Sequence, residues 1–342
     1  MKALQMRNKK AIFFIFSVFS LFFLFNNSAR AQEKNNFSFS AYTGIESSKT
    51  TESLFYKPGD ELLTGSRLDW KSPFLPCIGA TCQVNLFKYL SLAFDSTFAL
   101  PQFKNIINLG KIEDFDWMNI YSTGEKNLTH YSQSTNQVNS LITMDFNLGH
   151  KWPISEKLSI TNYATFNFEW FKFSSMDGYY QYAAKTGSKN GHDIYGTWSA
   201  DLEKKNSEGK KIEYKGLFLF LGLGTQISIN ITEKISMSLS ESIAFSTISS
   251  QIDFHIKRNL YTGFTNQHLW KSSTKLNLNC SLNRNSSIGF GANLGYIFGQ
   301  PCEVYSKNIK SDSSEWEKLD NLGGFNQLLF SFSICYNFIL SK

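Results

Sequence analysis

Apolar and polar residues alternate along almost the whole chain beyond residue 31. In "LFLFLGLGTQISINI" (217–231), Leu217, Leu219, Leu221, Leu223, Ile227 and Ile229 share one face, and Gly222, Gly224, Gln226, Ser228 and Asn230 share the other. "ITNYATFNFEW" sets Phe166, Phe168 and Trp170 against Thr165, Asn167 and Glu169, and "KISMSLSES" sets Ile235, Met237 and Leu239 against serines. "QLLFSFSICYNF" repeats the pattern from Leu328 to Phe338. A period of two belongs to β-strands, whose side chains point alternately to opposite faces. Ten such segments are expected, at 37–56, 62–86, 89–100, 137–151, 157–182, 213–230, 234–259, 266–282, 286–300 and 322–339.

One apolar and one small polar face per strand suits lipid outside and a polar lumen inside. Backbone groups in lipid must all be paired, and a closed sheet does this without edges. The pattern therefore predicts an all-β chain: a ten-stranded antiparallel transmembrane β-barrel filling residues 32–342 as one domain. Several segments exceed the roughly 9–11 residues that cross a bilayer, so strands should extend above it. Short turns at 87–89, 153–157, 231–234 and 283–287 alternate with long connections at 101–136, 183–212 and 301–321. In such barrels short turns lie on the periplasmic side and long loops outside.

The first 31 residues read differently. Lys2, Arg7, Lys9 and Lys10 precede the apolar run 11–25, and small residues follow at Ala29 and Ala31. This is the pattern of a secretory signal peptide (1–31), cleaved before Gln32. Removing its five basic residues from the 34 in the chain leaves 29 against 28 acids, so the positive charge gives no reason to expect nucleic acid. Five scattered cysteines show no zinc spacing, and their odd number forbids complete internal pairing. Cys280 follows Leu276 and Leu278 at strand spacing and reads as a small apolar filler. "GLG" (222–224) lies within a strand with no helix after it, which argues against a dinucleotide loop. A metal centre and a resident cofactor are likewise not expected.

Two short stretches carry candidate chemistry. "EDFDWMN" (113–119) holds Asp114 and Asp116, and "DFH" (253–255) holds Asp253 and His255. Residues two apart in a strand point the same way. Topology brings both pairs to the long-loop rim, as opposite walls of a cleft. Parity resists this: on the seventh segment odd positions up to Phe245 are apolar, whereas even positions Ile248, Ile252, Phe254 and Ile256 are apolar higher up. A β-bulge between Phe245 and Ile248 is therefore expected, because one extra residue re-aims all that follow. Three carboxylates and a histidine also admit a bound cation or merely solvated acids. His130, His150, His192 and His268 have no carboxylate at matching spacing and read as loop or rim residues.

With "SSKTTESLFY", "RLDWKSP", "DFDWMN" and "SSQIDFHIKR" in this order, the chain resembles the omptins, outer-membrane endopeptidases of Gram-negative bacteria. The resemblance implies that Asp114 and Asp116 face the Asp253–His255 dyad across an activated water, with no cofactor. It implies peptide or protein substrates, a monomer in outer-membrane lipid, and a site on the extracellular side. It also implies a pocket for a basic residue before the cut, with Glu52 at one acidic position and Gln251 where the second acid stands. The acid of the next subsite falls at Glu125 or Lys126. Omptins bind lipopolysaccharide, as an activating lipid, through an outer basic patch; in the matching stretch 166–172 only Lys172 is basic. A non-catalytic barrel serving as adhesin or porin is the alternative reading.

Overall fold

The computed structural model describes residues 36–100, 110–265, 267–308 and 315–341. The leader expected at 1–31 lies outside the described residues. Thirteen strands close into one antiparallel sheet, sealed where β1 (Asn36–Tyr56) pairs with β15 (Glu317–Ser341). They form ten staves. β2 (Leu63–Asn85), β5 (His130–Pro153), β6 (Leu158–Tyr182), β9 (Lys205–Asn230) and β10 (Ile235–His255) are single long strands. Three staves are each built from two strands placed end to end: β3 (Leu90–Ala99) with β4 (Gly110–Asp116), β11 (Leu260–Thr265) with β12 (Leu269–Asn283), and β13 (Ser286–Gly299) with β14 (Cys302–Asn308). β7 (Lys185–Lys189) and β8 (His192–Tyr195) make a separate hairpin in one long connection.

Each expected segment matches a stave, but three of the expected long loops are partly strand. Residues 110–116 pair with both β2 and β5, residues 205–212 extend β9, and residues 302–308 and 317–321 also join the sheet. Their polar, charge-rich sequences hide the alternation, because this upper part faces water on its outside. Apolar side chains exposed outward, such as Phe39, Ile45, Phe74, Ile78, Leu223, Ile243 and Phe332, gather in the half of the barrel nearer the short turns. A continuous exposed apolar belt calls for lipid as its solvent. Cys280 lies on this belt and is exposed rather than filling a core, and all five thiols are free.

The lumen has two zones. The lower zone is a polar cavity of about 610 Å³. Ion pairs cross it: Lys271 to buried Glu169 at 2.5 Å and half-buried Lys275 to Asp145 at 2.8 Å. Above it the lumen is filled by Trp70, Phe171, Phe173, Tyr214, Phe218, Phe220 and Phe325, each at most 1% exposed. Trp70 stacks on Tyr214 at 5.5 Å, Phe171 on Phe173 at 4.7 Å, and Phe218 meets Phe325 at 4.9 Å. Gly216 makes room for this, since a Cβ there would stand 2.3 Å from the Phe171 ring. Alternation puts Phe218 and Phe220 on the inward face but predicts a polar lumen; the structure instead stoppers it with aromatic rings. A through-pore of the porin kind does not fit this filling.

Candidate active site

The cleft sits above the aromatic layer, at the long-connection rim. The bulge expected on β10 is present: pairing with β9 shifts register between Ser246 and Ile248, leaving Thr247 as the extra residue. Its hydroxyl donates to the Leu219 carbonyl at 3.2 Å. Below the bulge Leu239, Ile243 and Phe245 are exposed outward while Ala244 is buried; above it Ser249, Gln251 and Asp253 are buried inward. Without the extra residue, Asp253 and His255 would point away from the barrel axis.

On β10, His255 Nε2 lies 2.7 Å from Asp253 Oδ2. Asp253 is 2% exposed, so the ring's partner is shielded from water. A hydrogen bond at one ring nitrogen fixes the role of the other, and here Nδ1 is left to take a proton. On β4, Asp114 and Asp116 stand opposite Leu68 and Ser66 of β2 and opposite Ser132 and His130 of β5. The Ser132 hydroxyl points to Asp114 Oδ2 at 3.5 Å, while Asp114 Oδ1 is buried and without a hydrogen-bond partner. The four residues singled out in the sequence therefore come together from two separate walls.

Their charges interact across the cleft. Burial pushes the Asp114 carboxyl well above the usual carboxylate range, the neighbouring Asp116 pushes it further, and His255 pulls it back. Burial also raises Asp116, opposed by a hydrogen bond from Ser66 and by the charges of His130, Arg258 and His255. For His255, burial disfavours the charged ring, but the charge and hydrogen bond of Asp253 outweigh it and the net direction is upward. A crowded set of carboxyls beside an imidazole is able to hold, take and return protons near neutral pH.

Glu52 is 3% exposed on β1, with Oε2 buried and lacking a hydrogen-bond partner. Burial, then the charges of Asp253 and Asp114, push its carboxyl well above the usual range. Gln251 is 1% exposed and held at both ends of its amide. Tyr214 donates to its Oε1 at 2.7 Å, its Nε2 donates to Gln267 Oε1 at 3.1 Å, and Gln267 donates to the Gln300 carbonyl at 2.8 Å. Gln267 has no sequence signal of its own and emerges only from this relay. Lys126 pairs with Glu61 at 2.5 Å in an exposed position, and Glu125 is also exposed.

Spacing along the chain reads His130 as a loop or rim residue, apart from any carboxylate. It begins β5 instead, directly opposite Asp116. Spacing along the chain misses this neighbour because the carboxylate comes from the adjacent strand. On the outer wall, Glu213 gathers Lys172 at 3.3 Å, Lys215 at 2.7 Å and Lys210. The stretch 166–172 supplies only the first of these lysines; β9 brings the others.

The family model described as "Omptin family" matches residues 33–340. The chain belongs to the omptin family. No curated protein matches it by sequence. Among solved structures it is similar to the outer membrane protease OmpT from Escherichia coli, with a TM-score of 0.74 and 17% identity, over 90% of this chain and 99% of that one. A translocator domain of the autotransporter NalP from Neisseria meningitidis also aligns, over 97% of each chain, at 7% identity and a TM-score of 0.34. Family and fold together support an outer-membrane β-barrel protease.

Proposed function

We propose that this omptin is an endopeptidase whose cleft faces the cell exterior and whose reacting groups are Asp114, Asp116, Asp253 and His255. The observation that carries the reading is the Asp253–His255 hydrogen bond of 2.7 Å, with a half-buried carboxyl pair on another wall. A water between the walls attacks the peptide carbonyl carbon as neutral His255 takes its proton through Nδ1. Asp253 stabilises the imidazolium, and Asp114 holds the water from the other side. The proton then passes from His255 to the amide nitrogen, the C–N bond breaks, and the two peptide ends leave. Water is the nucleophile, so no acyl-enzyme forms.

Glu52 supports a preference for a basic residue before the cut. Its unpartnered oxygen gains a charged hydrogen bond when a guanidinium or ammonium enters. Gln251 adds hydrogen bonding without charge. Gln251→Asp would place a second carboxylate there and break the relay to Gln267. The expected result is about a tenfold rise in the preference for Arg over an uncharged residue, the size of one charge-assisted hydrogen bond. Competing peptides that differ at that one position measure it, and an unchanged ratio would place the pocket elsewhere. The three lysines around Glu213 offer lipopolysaccharide phosphates a cationic contact on the outer wall.

The test of the reading is direct. The barrel, refolded in detergent with and without lipid and with EDTA, is given a mixed peptide library, and the cut sites are read by mass spectrometry. EDTA-insensitive cutting beside basic residues supports the full reading. Cutting beside other residues keeps the mechanism and redraws the pocket. No cutting by a verified folded barrel in any lipid would replace it with a non-catalytic barrel.

A further inference from the structure

Strand alternation gives Lys211 the parity of Glu213, which points to the outer wall. The register overrides it. β9 pairs through Ile212 with Ser175 of β6 and through Lys210 with Met176, so Lys211 is an extra residue on β9. A bulge of this kind re-aims the side chain it carries. The Lys211 ammonium donates to the Ser134 hydroxyl of β5 at 3.1 Å. Ser134 is buried and stands opposite Ile112, a member of the apolar cluster inside the barrel. β6 lies between β5 and β9, and its residue opposite Ser134 is Gly178, which has no side chain to block the crossing. Half-buried Lys211 therefore reaches along the inner face of the wall into the cleft.

The order of the staves fixes where this amine lies. Asp114 and Asp116 are on β4 and the dyad is on β10. In one direction around the ring, β5, β6 and β9 stand between those walls, with Ser134 and Lys211. In the other direction stand β11, β14, β15, β1 and β2, with Glu52 on β1. The heights agree as well. Glu52 is opposite Leu68 and Leu68 opposite Asp114, while Ile212, next to Lys211, is opposite His255. The cleft thus has an acidic end and a basic end, with the four proposed reacting groups between them. Lys257 and Arg258 stand exposed in the short turn after His255, and Lys257 donates to Ser207 of β9 at 3.0 Å, on the Lys211 side.

Lysines elsewhere on this barrel hold a carboxylate, as Lys215 holds Glu213 at 2.7 Å and Lys275 holds Asp145 at 2.8 Å. Among the described residues no carboxylate lies within ion-pair distance of Lys211, Lys257 or Arg258. Burial draws the Lys211 ammonium below its ordinary range and the charge of Lys257 adds to the fall, while Asp177 and Asp114, beyond ion-pair distance, oppose it. An anion arriving beside Lys211 would offset the cost of burying its charge.

We propose that Lys211 is a specificity-determining residue of this cleft: its ammonium receives an acidic side chain of the substrate on the side of the cut away from Glu52. The proposal rests on the endopeptidase reading given above. Preferred substrates then carry a basic residue before the cut and an acidic one shortly after it. Ser134 holds the amine in place, and Lys257 and Arg258 lend the same end of the cleft further positive charge. A basic residue there meets like charge and is disfavoured.

The experiment measures kcat/KM of the refolded full barrel on peptides that share one cleaved bond. They carry Glu, Gln or Lys at the first, second or third residue after it. The wild type is expected to prefer Glu over Lys by about tenfold or more at one of these positions, the size of one charge-assisted hydrogen bond. Lys211→Gln keeps a donor for Ser134 but no charge, and should reduce that preference to about threefold or less. Lys211→Glu should invert it, and Lys211→Arg should keep it. A merely structural lysine would move all the peptides together and leave their ratio alone, so an equal loss on Glu and Lys peptides would overturn the proposal. A Glu preference that survives in a folded Lys211→Gln barrel would overturn it too. Wild-type cutting with no Glu preference at any of the three positions would remove the proposal, whatever the variants do, and leave the endopeptidase reading intact. A folded wild-type barrel that cuts nothing would remove the reading and the proposal together.

Discussion

His255→Ala is expected to lower peptide cleavage by about 10²- to 10⁴-fold, the range attributed to one positioned acid–base group, while leaving the barrel folded. In the proposed mechanism the ring takes the proton of the attacking water, and alanine has nothing to replace it. The folded state is checked by the heat-dependent gel mobility of the barrel, and cleavage by the peptide assay. Full cleavage in a folded His255→Ala barrel would remove His255 as the base. The pH dependence follows from the same residue. A base must be neutral, and the His255 value lies above its ordinary 6.5 because Asp253 outweighs the effect of burial. Activity should therefore fall as pH drops through a value above 6.5. The stability contribution runs the other way. A histidine raised on folding stabilises the fold below its unfolded value and loses that contribution as pH rises through its folded value. Half-buried Asp114 and Asp116 and buried Glu52 are also raised, and they too favour the fold most when protonated. Acid inactivation should thus appear without any loss of fold from these groups.

Trp70→Ala is expected to cost about 3–5 kcal/mol of stability, the usual range for removing a large aromatic from a packed interior. Trp70 is 1% exposed, stacks on Tyr214 and lies 5.9 Å from Phe173. Its loss opens a hole in the layer between the cavity and the cleft. Trp70→Phe makes a useful contrast. The indole Nε1 is buried without a partner, so phenylalanine loses volume but also removes an unsatisfied donor. Its cost should stay within about 1.5 kcal/mol, as for other near-conservative core changes. Equilibrium urea unfolding of both variants in the same detergent measures the difference. Equal costs would mean that the aromatic layer is not packed as described.

The lower barrel was legible because lipid imposes a strict rule on alternate residues. Leu217 to Ile229 and Leu328 to Phe338 obey it, and both run along staves. The bulge was legible for the same reason: two apolar registers of opposite parity on β10 require one extra residue between them. The upper barrel was less legible because water covers its outside and relaxes the rule. β4 and the first residues of β9 therefore read as loops. The aromatic layer was hidden for another reason. Phe171, Phe173, Phe218 and Phe220 lie on inward positions, and alternation assigns a face without saying whether that face is wet. The Asp114–Asp116 and Asp253–His255 pairs were visible because each pair lies on one strand. His130 and Gln267 were not, since each meets its partner only through strand pairing or through a neighbouring turn.

The extra residue at Thr247 has a consequence for how this protein can change over generations. The lower part of β10 answers to lipid and the upper part carries the proposed dyad, and the bulge lets the two answer separately. Loss of a single codon there would leave every proposed reacting side chain in the chain yet turn Asp253 and His255 outward. An inactive descendant of this barrel could therefore keep all four acid and histidine letters, and its inactivity would be written only in the spacing between them.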